Sequence, residues 1–268
     1  MVKLFEILNI EAPTTPRPFG PLHLVFIFLI TAVCVLFVLN VKKVNDKIFR
    51  RFMLVSWITI VSFEILKQLI FSTSVSDGRV IWDFQWYAFP FQFCSMLHYL
   101  LPFVIFCKES KFRDSIMAFL SSYSLFAGFV VAYIFVDGVF TRSHYICVQT
   151  LVNHGLQVIV AVAICAYYRK KLSIKWFLSG VVSFICVSGI AFIMDMIAYN
   201  ILPENETFNM FFISPYYPST LAVIGKYKDL WPYGAYLALY FVGFTFVAFV
   251  FYEITYLASH LPKRKRKI

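Results

Sequence analysis

LHLVFIFLITAVCVLFV, residues 22–38, is apolar on every face that a helix would present. A bilayer core about 30 Å thick is crossed by roughly 20 helical residues, because a helix satisfies its own backbone N–H and C=O groups where water cannot. This stretch therefore reads as a membrane-spanning helix. Working outward from it, comparable stretches recur at about 21–40, 52–71, 87–106, 114–136, 144–168, 174–200 and 232–258. The composition agrees, with 60% hydrophobic and 14% charged residues. A barrel would need short strands of alternating polarity, and these runs do not alternate. The chain is thus expected to be all-α, a polytopic membrane protein whose single transmembrane domain, residues 1–268, is a seven-helix bundle.

Lys and Arg in short loops are retained on the cytoplasmic side, so their distribution sets the orientation. Lys42, Lys43, Lys47, Arg50 and Arg51 follow the first span; Lys108, Lys111 and Arg113 follow the third; Arg169, Lys170, Lys171 and Lys175 follow the fifth. The tail is basic from Lys263 to Lys267, whereas the opposite loops hold little more than Arg79, Arg142, Lys226 and Lys228. The N-terminus is expected outside and the C-terminus inside, in the cell membrane. The net charge of +10 is then mostly topological. Charges scattered over membrane-adjacent loops do not form the basic face that a nucleic acid would need. No cleavable signal peptide is evident, which fits a retained first helix with an exported N-terminus.

Most of the six cysteines fall in or near apolar spans, where a disulfide framework is not expected and a Cys usually packs as a small hydrophobe. Cys94 alone has polar company. At about 1.5 Å of rise per residue, Glu64 lies about 10 Å below the outer end of its span, Cys94 about 12 Å, His154 about 15 Å and Asp195 about 8 Å. Gln68, Gln92, His98, Asn153 and Gln157 share that outer half, while the inner halves of most spans are nearly free of such groups. Ionisable groups inside a membrane usually face an interior or a watery cavity, so the layer predicts a polar pocket near the outer leaflet. The blander reading is interhelical glue, with hydrogen bonds worth about 0.6 kcal/mol each and a local Glu64–Lys67 ion pair.

A Cys and a His at one depth suggest nucleophilic chemistry, since an imidazole can take the thiol proton and the thiolate can form a thioester. Glu64 or Asp195 is available to orient the imidazole. Two other readings stay open. Glu64, His154 and Asp195 would serve a proton-coupled transporter or a lipid-sensing protein with a passive Cys. His98, His154 and a carboxylate would serve a seven-helix zinc-dependent lipid hydrolase, although no third convincing His and no zinc-like spacing of cysteines is present. No cofactor or metal is expected on the leading reading.

The segment Phe89-Pro90-Phe91-Gln92-Phe93-Cys94-Ser95-Met96 resembles the Pro-Leu-His-Leu-Cys segment of YwaF-like bacterial proteins, related to the transmembrane protein 164 family. Glu64 and Gln68 resemble the family's Glu-x3-Gln pattern on the second helix, and Asn153-His154-Gly155 its His-Gly pair on the fifth. Asn209-Met210-Phe211-Phe212, followed by Ser214-Pro215, is similar to its Asn-x-x-Phe segment before the last helix. Gln92 stands where the bacterial pattern often has His. The resemblance implies a cysteine-dependent acyltransferase with phospholipid substrates and a lipid acceptor, Cys94 as nucleophile and His154 as base. The 201–231 loop, rich in Phe208, Phe211, Phe212, Tyr216, Tyr217 and Trp231, reads equally as a lid or as an interfacial aromatic belt.

Overall fold

The computed structural model describes residues 10–135, 140–221 and 223–260, together with Lys3 and Ile7. The basic tail Lys263–Lys267, residue 136 at the expected end of the fourth span and residue 222 in the long loop lie outside the described residues. Among the described residues six helices are long and apolar enough to cross a membrane: α1 Pro21–Lys43, α2 Asp46–Phe71, α4 Lys111–Ile134, α5 His144–Tyr167, α6 Ile174–Ile201 and α7 Tyr233–His260. A shorter apolar helix, α3 Phe93–Phe106, completes the expected seven. The bundle is centred on α4 and α5, whose most apolar windows are 72% buried, against 6% for α1. Outward faces of the peripheral helices, such as Phe28, Leu39 and Phe246, are exposed apolar surface of the kind that lipid covers.

The third helix departs most from the sequence expectation. Residues 87–106 read as one span, but regular helix begins only at Phe93, and Trp86–Ala88 is an isolated 3-10 turn. Pro90 supplies the reason: its ring excludes the residue before it from the helical region, and Phe89 accordingly sits at φ −52°, ψ 131°. The break is tolerable because the interrupted backbone lies against other helices and not in open lipid. Phe93 then pins the helix start, with ring centroids 5.1 Å from Phe244, 5.7 Å from Phe211 and 5.8 Å from Phe184. At about 1.5 Å per residue this helix is only about 20 Å long. Its carboxyl end is finished by arginines: Arg113 Nε donates to Val104 O at 2.9 Å, and Arg50 Nη1 donates to Cys107 O at 3.1 Å and also to Ile105 O. Two charges that read as topological are therefore also helix caps.

Further features fix how the helices meet. α4 contains two π-helical stretches, Leu120–Ser124 and Val130–Ile134, with Gly128 between them. A Cβ on Gly128 would lie 2.6 Å from both Gln157 Cβ and His154 O, so only glycine lets α4 approach α5 this closely beside His154. A two-stranded hairpin, β1 Thr73–Ser76 and β2 Arg79–Trp82, caps the end of α2. Its Asp77-Gly78 turn has φ of 50° and 69°, the left-handed pair that such tight turns require. At the same end of the bundle Ala12 N donates to Arg142 O at 2.7 Å, tying the N-terminal segment to the start of α5. Tyr252 near the end of α7 donates to Ser173 O at 2.9 Å, at the opposite end.

Candidate functional site

The residues of the polar layer sort into three linked groups at the hairpin end of the bundle. The first surrounds Glu64 on α2. Its Oε1 pairs with Lys67 Nζ at 2.7 Å and accepts from Gln68 Nε2 at 2.8 Å, while Oε2 accepts from Gln149 Nε2 at 3.2 Å. Gln68 also donates to Ala88 O at 2.7 Å, fastening the broken segment before α3 onto α2. His98 donates from Nδ1 to Ser95 O at 2.8 Å, and its Nε2 stands 4.0 Å from Glu64 Oε2, beyond hydrogen-bond reach. Both side chains line a cleft of about 380 Å³ between α2 and α3, walled by Val61, Ile65, Leu69 and Tyr99. Ile65, Leu69 and Tyr99 are exposed on the outer surface of the bundle, so the cleft opens sideways toward lipid.

The second group joins Cys94 to α5. Asn153 Nδ2 and Gln157 Nε2, one turn apart on the same face, donate to Cys94 O at 3.3 and 2.9 Å. His154 lies between them in sequence and donates from Nδ1 to Thr150 O at 2.8 Å. Because a carbonyl can only accept, that bond fixes the tautomer and directs Nε2 as the acceptor nitrogen. Neither Glu64 nor Asp195 orients this ring; the helix's own carbonyl does, and the two carboxylates are engaged by Lys67, Gln68, Gln149 and Met210 N instead. Among the described residues no hydrogen bond joins Cys94 Sγ to His154. Among the described residues, the buried atoms Gln68 Oε1, His98 Nε2, Asn153 Oδ1 and Gln157 Oε1 have no hydrogen-bond partner.

The third group is a clamp on the long loop. Gln92 donates from Nε2 to Asn209 O at 2.9 Å and accepts at Oε1 from Phe211 N at 2.9 Å. Asp195 accepts from Met210 N at 2.6 Å, and Asn209 bridges to Pro218 O and Ser214 N, each at 3.0 Å. Phe211 and Phe212 are held at φ of 56° and 60°, a left-handed conformation that costs a non-glycine residue about 1–3 kcal/mol. Thus Gln92, Asp195 and Asn209, expected to line the pocket, fasten the loop to the bundle. The aromatic residues of the loop divide accordingly: Phe208 and Phe211 are core, whereas Tyr216 and Trp231 are exposed.

Some contributors are not evident from the sequence. Gln149 completes the coordination of Glu64, and its only signal is an amide on the same helix as His154. Lys228 reads as a loop charge, yet it is buried and its Nζ has no partner among the described residues. All six cysteines are free thiols. Among the described residues, no three His, Cys, Asp or Glu side chains come together as a metal-binding group, so the His98, His154 and carboxylate set of a zinc hydrolase is not assembled.

The fold and the buried polar layer define a multi-pass helical membrane protein. The sequence pattern of the TMEM164 family matches residues 18–256, and the chain belongs to that family. No curated protein and no solved structure matches it.

Proposed function

We propose that this protein is an integral membrane acyltransferase that moves a fatty acyl chain from a phospholipid to a lipid acceptor through a thioester on Cys94. The observation that carries this reading is the grip of α5 on Cys94. Asn153 and Gln157 hold the Cys94 carbonyl from either side of His154, whose Nε2 is left without a hydrogen bond among the described residues. His154 Nε2 takes the Cys94 thiol proton, and the sulfur attacks the ester carbonyl carbon of the donor. The C–O bond to glycerol breaks, and the leaving oxygen takes the proton back from His154. An acceptor hydroxyl then gives its proton to His154 and attacks the thioester carbonyl; the C–S bond breaks and the thiol is restored. With water as the acceptor the same cycle is a lipase.

Charge that develops on the carbonyl oxygen falls near the start of α3, where backbone N–H groups of a helix start favour negative charge. The lipid-facing cleft beside Glu64 and His98 supports delivery of an acyl chain from the bilayer. The basic loops of the sequence favour a pocket near the outer leaflet of the cell membrane. A second reading has one observation in its favour. The Glu64–His98 approach beside Lys67 is an arrangement that a proton-coupled transporter or lipid sensor could use.

The two readings separate in one experiment. Intact mass spectrometry of purified protein with phospholipid is expected to detect a hydroxylamine-sensitive acyl adduct on wild type, absent from Cys94→Ala and strongly reduced in His154→Ala. An adduct that persists in Cys94→Ala overturns the assignment. Absence of any adduct, with Cys94→Ser fully active in cells, moves the function to transport or sensing.

A further inference from the structure

We propose that the end of the bundle farthest from Cys94 carries a separate binding site for an anionic phospholipid, its phosphate held by Lys42 and Arg169 and its chain in a cleft between α1, α5 and α7. The cleft has a volume of about 710 Å³ and is the roomiest of those described on this molecule. It arises because α1 touches α5 closely near Gly155, where a Cβ would lie 2.8 Å from Ile30, and the helices part toward the opposite end. Val38, Leu39 and Val162 supply apolar walls, with Cys165 and Thr255 below and Ser259 at the rim.

Charge identifies the occupant. Three cations at this end are engaged internally, Arg50 by Asp46 and two carbonyls, Arg113 by Val104 O and Tyr168, and Lys171 by Asp114 at 3.1 Å, and of the remaining described ones only Lys42 and Arg169 line the cleft. Lys42 and Arg169, from helices far apart in sequence, meet at the cleft and make no ion pair or hydrogen bond among the described residues. Among the described residues no carboxylate lines the cleft. Two unpaired cations above an apolar trough, at the depth where helices leave the membrane, match the phosphate and chain of an anionic lipid. A zwitterionic lipid brings its own cation and gains less. This site is independent of the acyl-transfer reading, since it shares no residue with it.

The test uses the full chain in nanodiscs of phosphatidylcholine with a minor fraction of phosphatidylglycerol, and native mass spectrometry counts the lipids retained. At about fivefold per cation, Lys42→Gln/Arg169→Gln is expected to lower the preference for phosphatidylglycerol by about 25-fold. Lys170→Gln/Lys175→Gln, which removes the same charge from exposed positions outside the cleft, should leave the preference within about twofold of wild type. Ala258→Trp fills the exposed rim without changing charge and should also abolish selective retention, which keeps the test valid if the double variant folds poorly. The proposal is overturned if wild type shows no preference for phosphatidylglycerol. It is equally overturned if the control pair loses as much as the cleft pair, or if Ala258→Trp retains the anionic lipid as wild type does.

Discussion

His154 donates from Nδ1 to the carbonyl one turn earlier on its own helix, so the direction of Nε2 depends on the helix and on no partner that could be mutated separately. Glu64 is the contrary case, because its buried carboxylate is held by three donors, from Lys67, Gln68 and Gln149. Lys228 is a third kind of residue, a buried ammonium with no hydrogen bond among the described residues. Burial pushes its pKa below the ordinary lysine value, with the charges of Asp229 and Asp195 acting the other way. An unfolded chain carries the ordinary, higher value. Between the depressed and the ordinary pKa the unfolded state therefore binds more protons, and this residue's contribution to stability improves as pH rises through that window. Thermal unfolding from neutral to alkaline pH is expected to show wild type gaining on Lys228→Met. A constant difference between the two would mean that the ammonium is not buried in solution.

At the scale of elements, the contact of α4 with α5 places the site. Gly128 lies between two π-helical stretches, and its missing side chain allows α4 to meet His154 O and Gln157 without a clash. Gly128→Ala is expected to destabilise the protein by about 1–3 kcal/mol, because the close approach includes His154 O, backbone that cannot swing away as a flexible side chain could. It should also loosen the hold of Gln157 on Cys94. Alkylation of Cys94 by a small maleimide, compared between wild type and Gly128→Ala, reads that loosening; equal stability and equal labelling would refute the role given to the glycine. α3 makes the same point from its two ends. Its start is set by Pro90 and the Phe93 aromatic cluster, and its finish by Arg50 and Arg113, so a helix too short to span alone is held in place by neighbours.

For the molecule as a whole, the loop before α7 is fastened to the bundle at Asn209–Phe211, with Phe211 and Phe212 in the left-handed region. Gln92 and Asp195 satisfy its backbone at three atoms. Gln92→Leu leaves two of these without partners, at about 1–3 kcal/mol each, while preserving side-chain volume approximately. Hydrogen exchange at Met210, Phe211 and Ser214 is expected to accelerate at least tenfold in this variant, with α4 and α5 unchanged. Exchange accelerating uniformly over the bundle would instead indicate general destabilisation, and no acceleration would remove the clamp. The family's Asn209 segment thus resembles a fastening device at the level of atoms, which short motifs alone do not distinguish from a pocket wall.

The all-α class and the presence of several helices long and apolar enough to cross a membrane were legible in the sequence. Each depends on the transfer of one contiguous segment from water to hydrocarbon, a property that residues 22–38 carry by themselves. The Glu64–Lys67 pair was legible for the same reason, being one helical turn. Tertiary structure alone decided that residues 87–92 do not join α3, that Asn153 and Gln157 seize the carbonyl of Cys94, and that Gln92 and Asp195 bind the loop. Those outcomes join groups as much as 119 positions apart. Composition fixes which segments leave water, whereas the partner of each buried polar group depends on where helix breaks and close glycine contacts let the chain meet itself.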